Sequence, residues 1–414
     1  MADIIIDGTN GANRLLILDN TGKIPAVDGS QLTNFAAGNI ATGTIPIARI
    51  DTGTTANKVV QLDGNAKLPA VDGSQITNMP SATKSSNDPT LSTNPSGGVG
   101  SEWHNTSTGE AYICTDATAG ENVWINIGGG TGDIQPWVYG GTQYGYQSGG
   151  HPNNNTINKY SFASATANAT GDYDLTVARH APCGNSSKLF GYTCGGNTSG
   201  AVNVIDKFSF TTDGNAVDHG DLSVSRSYPS EPGQTSSTHG FTSGGYGSSP
   251  VNTIDKFAFD ADGNATDHGD LSTSRTSSYG QSSSTHGYAV HDAIMDKFSF
   301  ASNTTASDVG AASLAQRRTG AGQSSGTHGY ATGSEPAGNV IDKFAFATEG
   351  TMTDVGDLTV NHSNCCAQSS TTYGYTSGGD SNNVIERHSF ASDGNAADVG
   401  DLVHSIGYVG GQHY

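Results

Sequence analysis

The sequence predicts an all-β chain whose larger part is six copies of one four-stranded unit closed into a ring. Three observations predict it. From Tyr144 onward one unit recurs: a Gly doublet after aromatic residues, Ile-x-Lys-Phe-x-Phe, Asp-Gly-Asn, Gly-Asp-Leu and Arg. Its lysine falls at Lys159, Lys207, Lys256, Lys297 and Lys343, with Arg387 in the sixth copy. The intervals of 48, 49, 41, 46 and 44 residues lie in the range of four-stranded propeller blades. Finally, Asp270 to Gln281, Asp357 to Gln368 and Asp401 to Gln412 are each 11 residues apart, so the chain stops just inside the strand that should open a seventh copy. The segment that should follow stands at the other end, as Gly145-Tyr146-Gln147-Ser148-Gly149-Gly150. The C-terminal strand is therefore predicted to be the innermost strand of the first blade, which leaves no long sheet edge exposed. The predicted ring spans residues 135–414.

Composition agrees. Charged residues make up 14% of the 414 residues and Gly supplies 57. Without a collagen period and beside regularly placed aromatics, that Gly marks many tight turns. A formal charge of −20 argues against a nucleic-acid partner, which needs a basic footprint. No stretch approaches 18 apolar residues, so membrane insertion is not expected. The start Met-Ala-Asp-Ile-Ile-Ile-Asp lacks a secretion signal, which points to synthesis in a cytosol. Five cysteines, odd in number and without a C-x-x-C pair, read as buried free thiols rather than disulfides or metal ligands.

Residues 1–80 hold a different repeat. Lys23-Ile-Pro-Ala-Val-Asp-Gly-Ser-Gln-Leu-Thr-Asn34 returns as Lys67-Leu-Pro-Ala-Val-Asp-Gly-Ser-Gln-Ile-Thr-Asn78. Short alternating strands, Pro and Asp-Gly turns suit extended β structure. One copy is too poor in apolar residues to enclose a core, so assembly of several chains is expected. These two copies resemble shaft repeats of bacteriophage tail fibres. Residues 81–99, rich in Ser, Thr, Pro and Asn, read as a linker. Residues 100–130 carry Trp103, Tyr112 and Trp124 between turn signals and read as a three-stranded meander. This segment resembles a small module of phage fibre proteins.

Residues 222–271 give the clearest blade. Thr238–Gly245 reads as strand b, Asn252–Phe259 as strand c, Asp262-Gly263-Asn264 as a hairpin turn and Ala265–Leu271 as strand d. Gln281–Ser284 then begins strand a of the next blade. The order resembles the kelch family, without that family's tryptophan on strand d.

Alternating strand directions put the b–c and d–a loops on one face and the a–b and c–d segments on the other. The latter barely vary: Asp213-Gly-Asn, Asp262-Gly-Asn and Asp393-Gly-Asn; Thr238-His239, Thr285-His286 and Thr327-His328. The b–c and d–a loops differ in every copy, which points to recognition on that face, since variable surface loops commonly carry function. Tyr228, Tyr246, Tyr279, His291, Arg317 and Arg318 are the expected receptor- or glycan-binding residues, because rings stack on sugars and Arg forks anions. Arg179, Arg226, Arg275 and Arg318 also recur near one mouth. They read either as a ring for an anionic ligand or as internal partners of the blade aspartates.

No catalytic residue, metal ligand or cofactor is expected. The repeated histidines have no partnered nucleophile, the Asp260–Asp267 turn lacks the distal Glu of an EF-hand, and no carboxylate pair stands out for a glycosidase. The resemblances imply a non-enzymatic virion fibre protein: a homotrimer through its shaft, mounted on tail or baseplate proteins. It would bind a host glycan or lipopolysaccharide through the distal propeller. A polysaccharide-degrading tailspike and a capsid-attached head fibre or decoration protein are the alternatives.

Overall fold

The structure, a computed structural model, describes residues 82–127, 138–163, 169–313, 319–334, 338–379 and 382–414. The shaft expected over 1–80 lies outside them. Every regular element among the described residues is a β-strand, and none of these residues forms a helix able to cross a membrane.

The first sheet contains β1 (Thr83–Ser85), β2 (Glu102–Asn105), β3 (Ala111–Asp116) and β4 (Val123–Asn126), in that order. It has one strand more than the expected meander, because β1 comes from the segment read as a linker and pairs parallel to β2. The polar composition that suggested a linker instead supplies hydrogen-bonding groups. Trp103 Nε1 donates to Asn87 O (2.9 Å), Asn105 Nδ2 to Asp88 (2.7 Å) and Asn122 Nδ2 to Leu91 O (2.7 Å). Beneath them Tyr112, Cys114 and Trp124 are fully buried.

Six further four-stranded antiparallel sheets follow. The first comprises β5 (Tyr144–Ser148), β6 (Asn154–Ser161) and β7 (Thr170–Arg179). The second runs from β8 (Cys183–Ser186) through β9 (Phe190–Cys194) and β10 (Val204–Ser209) to β11 (Val217–Asp221). The third has β12 (Gln234–Thr235), β13 (His239–Ser243), β14 (Thr253–Ala258) and β15 (Thr266–Asp270). The fourth has β16 (Tyr279–Ser282), β17 (His286–His291), β18 (Ile294–Ser299) and β19 (Ser307–Asp308). The fifth has β20 (Ala321–Ser324), β21 (His328–Thr332), β22 (Val340–Ala345) and β23 (Thr353–Asp357). The sixth has β24 (Cys366–Ser369), β25 (Tyr373–Ser377), β26 (Val384–Ser389) and β27 (Ala397–Asp401). The last strand, β28 (Gly410–His413), completes the first sheet beside β5, with Gln412 opposite Tyr146.

Each sheet grips the next through two repeated contacts, and three of the junctions add a third. The ring on its second strand stacks on the second aromatic after the next sheet's third strand. These pairs are Tyr146–Phe210, Tyr192–Phe259, Phe241–Phe300, Tyr288–Phe346, Tyr330–Phe390 and Tyr375–Phe162, at 4.6 to 5.2 Å between centroids. A buried amide on each first strand donates to the next sheet's second strand. Gln412 reaches Tyr192 O, Asn185 reaches Phe241 O, Gln234 reaches Tyr288 O, Gln281 reaches Tyr330 O, Gln323 reaches Tyr375 O and Gln368 reaches Tyr146 O, at 2.8 to 3.1 Å. Both series return to the sheet they started from. First strands also lie against one another. A Cβ on Gly322 would stand 2.2 Å from Gly280 O, so the close approach requires glycine there.

The third contact is ionic. Arg179 at the end of β7 reaches Asp206 on β10 (2.8 Å), Arg226 reaches Asp255 on β14, and Arg275 reaches Asp296 on β18; the carboxylates are wholly buried and the arginines nearly so. The hydroxyl-bearing residue three positions before the arginine joins them: Thr176 and Ser223 donate backbone N–H to Asp206 and Asp255 (3.1 and 3.0 Å). Between the sixth and first sheets all three positions change together, to Val403, Ile406 and Asn158.

His388 occupies a position held elsewhere by Tyr160, Phe208, Phe257, Phe298 and Phe344. It is buried, neither ring nitrogen has a hydrogen-bond partner, and burial lowers its pKa to about 4. Such a histidine stays neutral in the folded chain while the unfolded one protonates near 6.5. Its contribution is therefore intact above pH 6.5 and is lost as pH falls toward 4. His388→Phe is expected to raise stability by about 1–3 kcal/mol at pH 7, with an advantage that widens toward pH 4; denaturant midpoints at several pH values check both. Deleting Gly410–Tyr414 should expose β5 and β8 and remove cooperative unfolding, which calorimetry would show as a lower and broadened transition.

Candidate functional site

The uniform face has a structural cause. Lysines of the third strands pair with the next sheet's turn: Lys159 with Asp213 (2.8 Å), Lys207 with Asp262, Lys297 with Glu349 and Lys343 with Asp393. The turn asparagines accept backbone N–H groups from the preceding sheet: Asn215 from Asp174 (3.1 Å), Asn264 from Asp221 and Asn395 from Asp357 (3.0 Å each). Asp262 is thus engaged, its carboxyl held below the usual range chiefly by the hydrogen bond from Lys207. His239, His286 and His328 each share a 2.8 Å hydrogen bond with the preceding threonine.

On the irregular face, six corners follow the fourth strands. Their residues are Ala181, Tyr228, Ser277, Thr319, Asn364 and Tyr408, all in the left-handed region with φ between 53° and 59°. Each donates its N–H to the carbonyl of the corner before it. Tyr228 bonds Ala181 (2.9 Å), Ser277 bonds Tyr228 (2.8 Å), Thr319 bonds Ser277 (3.4 Å), Asn364 bonds Thr319 (2.5 Å), Tyr408 bonds Asn364 (2.7 Å) and Ala181 bonds Tyr408 (2.7 Å). This circuit surrounds a small open cavity of about 40 Å³.

Tyr228 and Tyr408 meet edge-to-face at 5.7 Å across the small Ala181. His180 lies 6.3 and 6.2 Å from them, with His151 beyond it at 5.4 Å. His180 Nδ1 is 2.6 Å from Asn153 Oδ1, and burial, then His151, lowers its pKa. Ser277, Thr319 and Asn364 form the opposite arc.

Glu231 closes the floor. The corner at Tyr228 precedes its inner amide by six residues, where Ser277, Thr319, Asn364 and Tyr408 precede theirs by four. The two extra residues carry Glu231 inward. Its carboxylate accepts the N–H groups of Gly411 (2.7 Å) and Gly184 (3.2 Å), and its carbonyl those of Gly322 and Gly280 (2.9 and 3.2 Å). It is 8% exposed, and desolvation pushes its pKa well up.

Of the expected binding residues, Tyr228 lines the cavity, and Tyr246 is 44% exposed in a loop bonded to Ser227. His291 is half-buried beside Asp292 (3.3 Å) and apart from the cavity lining. Tyr279 is a correction: it is 0% exposed and its hydroxyl donates to Gly333 O (2.9 Å). As the first residue of an inner strand it faces neighbouring sheets rather than solvent. The anionic-ligand ring is corrected too, because Arg179, Arg226 and Arg275 are consumed by the buried aspartates described above. Arg317 and Arg318 lie outside the described residues. His151, His180 and Tyr408 were missed, although Tyr408 shares the four-residue offset from its inner amide. All five cysteines are buried and free. No three His, Cys, Asp or Glu among the described residues are placed to hold a metal.

No protein-family model matches the chain, and no curated protein matches it.

Arg226→Met should cost about 3–5 kcal/mol by stranding Asp255. The triple variant Ser223→Val, Arg226→Ile, Asp255→Asn copies the sixth-to-first junction and should recover most of that loss in urea titrations. Full stability of the single variant would show that the pair does not hold the sheets.

Proposed function

We propose that this chain is a virion fibre protein whose six similar sheets are the blades of a kelch-like propeller, mounted distally on an N-terminal trimeric shaft. The propeller attaches the particle to a host-cell glycan. The reading rests on the cup of rings and polar groups at the irregular face, on a fold whose other face is occupied by contacts between sheets. The cyclic series of stacks, amides and corner hydrogen bonds supports the propeller; the repeats within residues 1–80 support the shaft. Binding without turnover is favoured because Glu231 is the one carboxylate lining the cavity among the described residues and already accepts two N–H groups, whereas glycoside hydrolysis uses a pair. Several weakly binding heads would give avidity through effective concentration.

The test is binding of the labelled full chain to a panel of bacterial cells and to lipopolysaccharide extracted from them. Strain-dependent binding is expected. Combined Tyr246→Ala and Tyr408→Ala replacement should reduce it about tenfold or more, with the melting temperature unchanged. Binding that survives these changes would remove the irregular face from recognition. A mass in light scattering of one chain would remove the trimer.

A further inference from the structure

We infer that His151 and His180 hold a zinc ion on the irregular face, with its remaining coordination positions open to oxygen donors of a bound surface. The two rings stand 5.4 Å apart between centroids. Two imidazoles on one tetrahedral zinc, each nitrogen at about 2.0–2.1 Å, place their centroids roughly 5 Å apart. Neighbouring positions on a square or octahedral ion would draw the rings closer, so the spacing favours zinc among the metals that take imidazole.

The ligating nitrogen of His180 is set by a chain of hydrogen bonds. Asn153 Nδ2 donates to Thr198 O (2.6 Å), which orients the amide and turns its oxygen toward His180. An amide oxygen only accepts, so His180 Nδ1, 2.6 Å away, carries the proton. Nε2 keeps its lone pair. Ligating histidines characteristically have the other ring nitrogen held in this way. Burial, then His151, lowers the pKa of His180, and the unprotonated ring is the ligating form.

Both histidines are fixed at the backbone. His180 and Asn197 exchange N–H···O bonds of 3.0 and 2.8 Å, and His151 donates its N–H to Gly407 O (3.0 Å). Gly150, just before His151, has φ 128°, and a Cβ there would stand 2.4 Å from Ile406. Only glycine gives the chain that path to His151. Both positions also depart from the repeat. The residue before the corner is His180 in the first sheet, but Ser227, Thr276, Arg318, Ser363 and Gly407 in the others. The residue after the Gly doublet is His151 there, but Asn197, Tyr246 and Asp380 elsewhere. The stacks, amides and ion pairs that join the sheets use neither ring.

Two protein ligands leave positions for water and for an incoming donor, since no third His, Cys, Asp or Glu among the described residues completes the set. Carboxylate and phosphate oxygens of a cell-surface polymer are suitable donors. A formal charge of −20 attracts a cation and opposes an anionic polymer, and bound zinc supplies the local positive charge. This last step rests on the adhesion reading; the metal site does not.

The experiment takes the full-length, untagged protein, strips it with a chelator and titrates it calorimetrically with Zn²⁺ in a background of Mg²⁺ and Ca²⁺. A saturable site of one ion per chain is expected. His151→Gln and His180→Gln should each weaken it about tenfold or more. Asn153→Ala should weaken it about 10–100-fold, whereas Asn153→Asp, which keeps an acceptor at Nδ1, should retain it. Melting temperatures of the stripped proteins should stay level across the variants. Absence of a saturable site, or parental affinity in both histidine variants, overturns the assignment. Equal loss in the two Asn153 variants overturns the positioning role of that residue. Zinc-loaded protein should bind cells more strongly than stripped protein, and His180→Gln should remove the difference. Equal cell binding by the two forms, beside a positive titration, removes the metal from adhesion. If zinc binds and cells do not, the site stands and the adhesion reading falls. If cells bind and zinc does not titrate, adhesion stands and the site falls.

Discussion

The buried amides of the inner strands are the constraint on which the rest of the structure depends. Asn185, Gln234, Gln281, Gln323, Gln368 and Gln412 each hold the neighbouring sheet's backbone at a carbonyl. A buried amide without a partner is costly, so each sheet's placement satisfies a demand made by the one before. This is how a chain with only 34% hydrophobic residues forms a packed interior. Its core is layered, with amides at the centre, rings between the sheets and ion pairs toward the irregular face.

The same logic revises the meaning of the chain's regularity. Sameness on the turn face invites the idea that variation elsewhere is functional by contrast. The lysine bridges and asparagine acceptors give that sameness a mechanical origin, so it says nothing about ligands. What marks the irregular face is the set of strained corners that enclose a cavity and are sorted by polarity. The arginines follow the mechanical pattern also. Where Ile406 replaces the base, Asn158 replaces the acid and Val403 the hydroxyl; a ligand-binding arginine would have no reason to change in step with residues of the next sheet.

Much of the fold was legible because its contacts recur. The 11-residue offset from Gly-Asp-Leu to the inner glutamine located the partner of β28, and the joint recurrence of Arg and Asp already allowed an internal pair. The site was less legible. Tyr228 and Tyr279 both stand near loops between strands d and a, and residue type cannot tell that one is a corner and the other begins a buried strand. His180 carried no local signature, and the four-residue offset of Tyr408 from Gln412 becomes a signal only once the corners are aligned on their inner amides. The segment 81–99 misled for a related reason: polar residues that satisfy a neighbouring sheet have the same composition as polar residues in a linker.

The corner circuit separates two requirements that usually compete. Its hydrogen bonds run from backbone to backbone, so it can be completed by any residue that tolerates the left-handed angle. The side chains are then free to differ, and in this chain they have divided into an aromatic and a polar arc. The remaining asymmetry is the two-residue insertion that delivers Glu231. It places one acceptor residue among four inward-facing N–H groups that symmetry alone would leave unpaired, and so gives the cavity a floor. Repetition holds the sheets together, and the departures from it give the two arcs of the corner circuit their different chemistry.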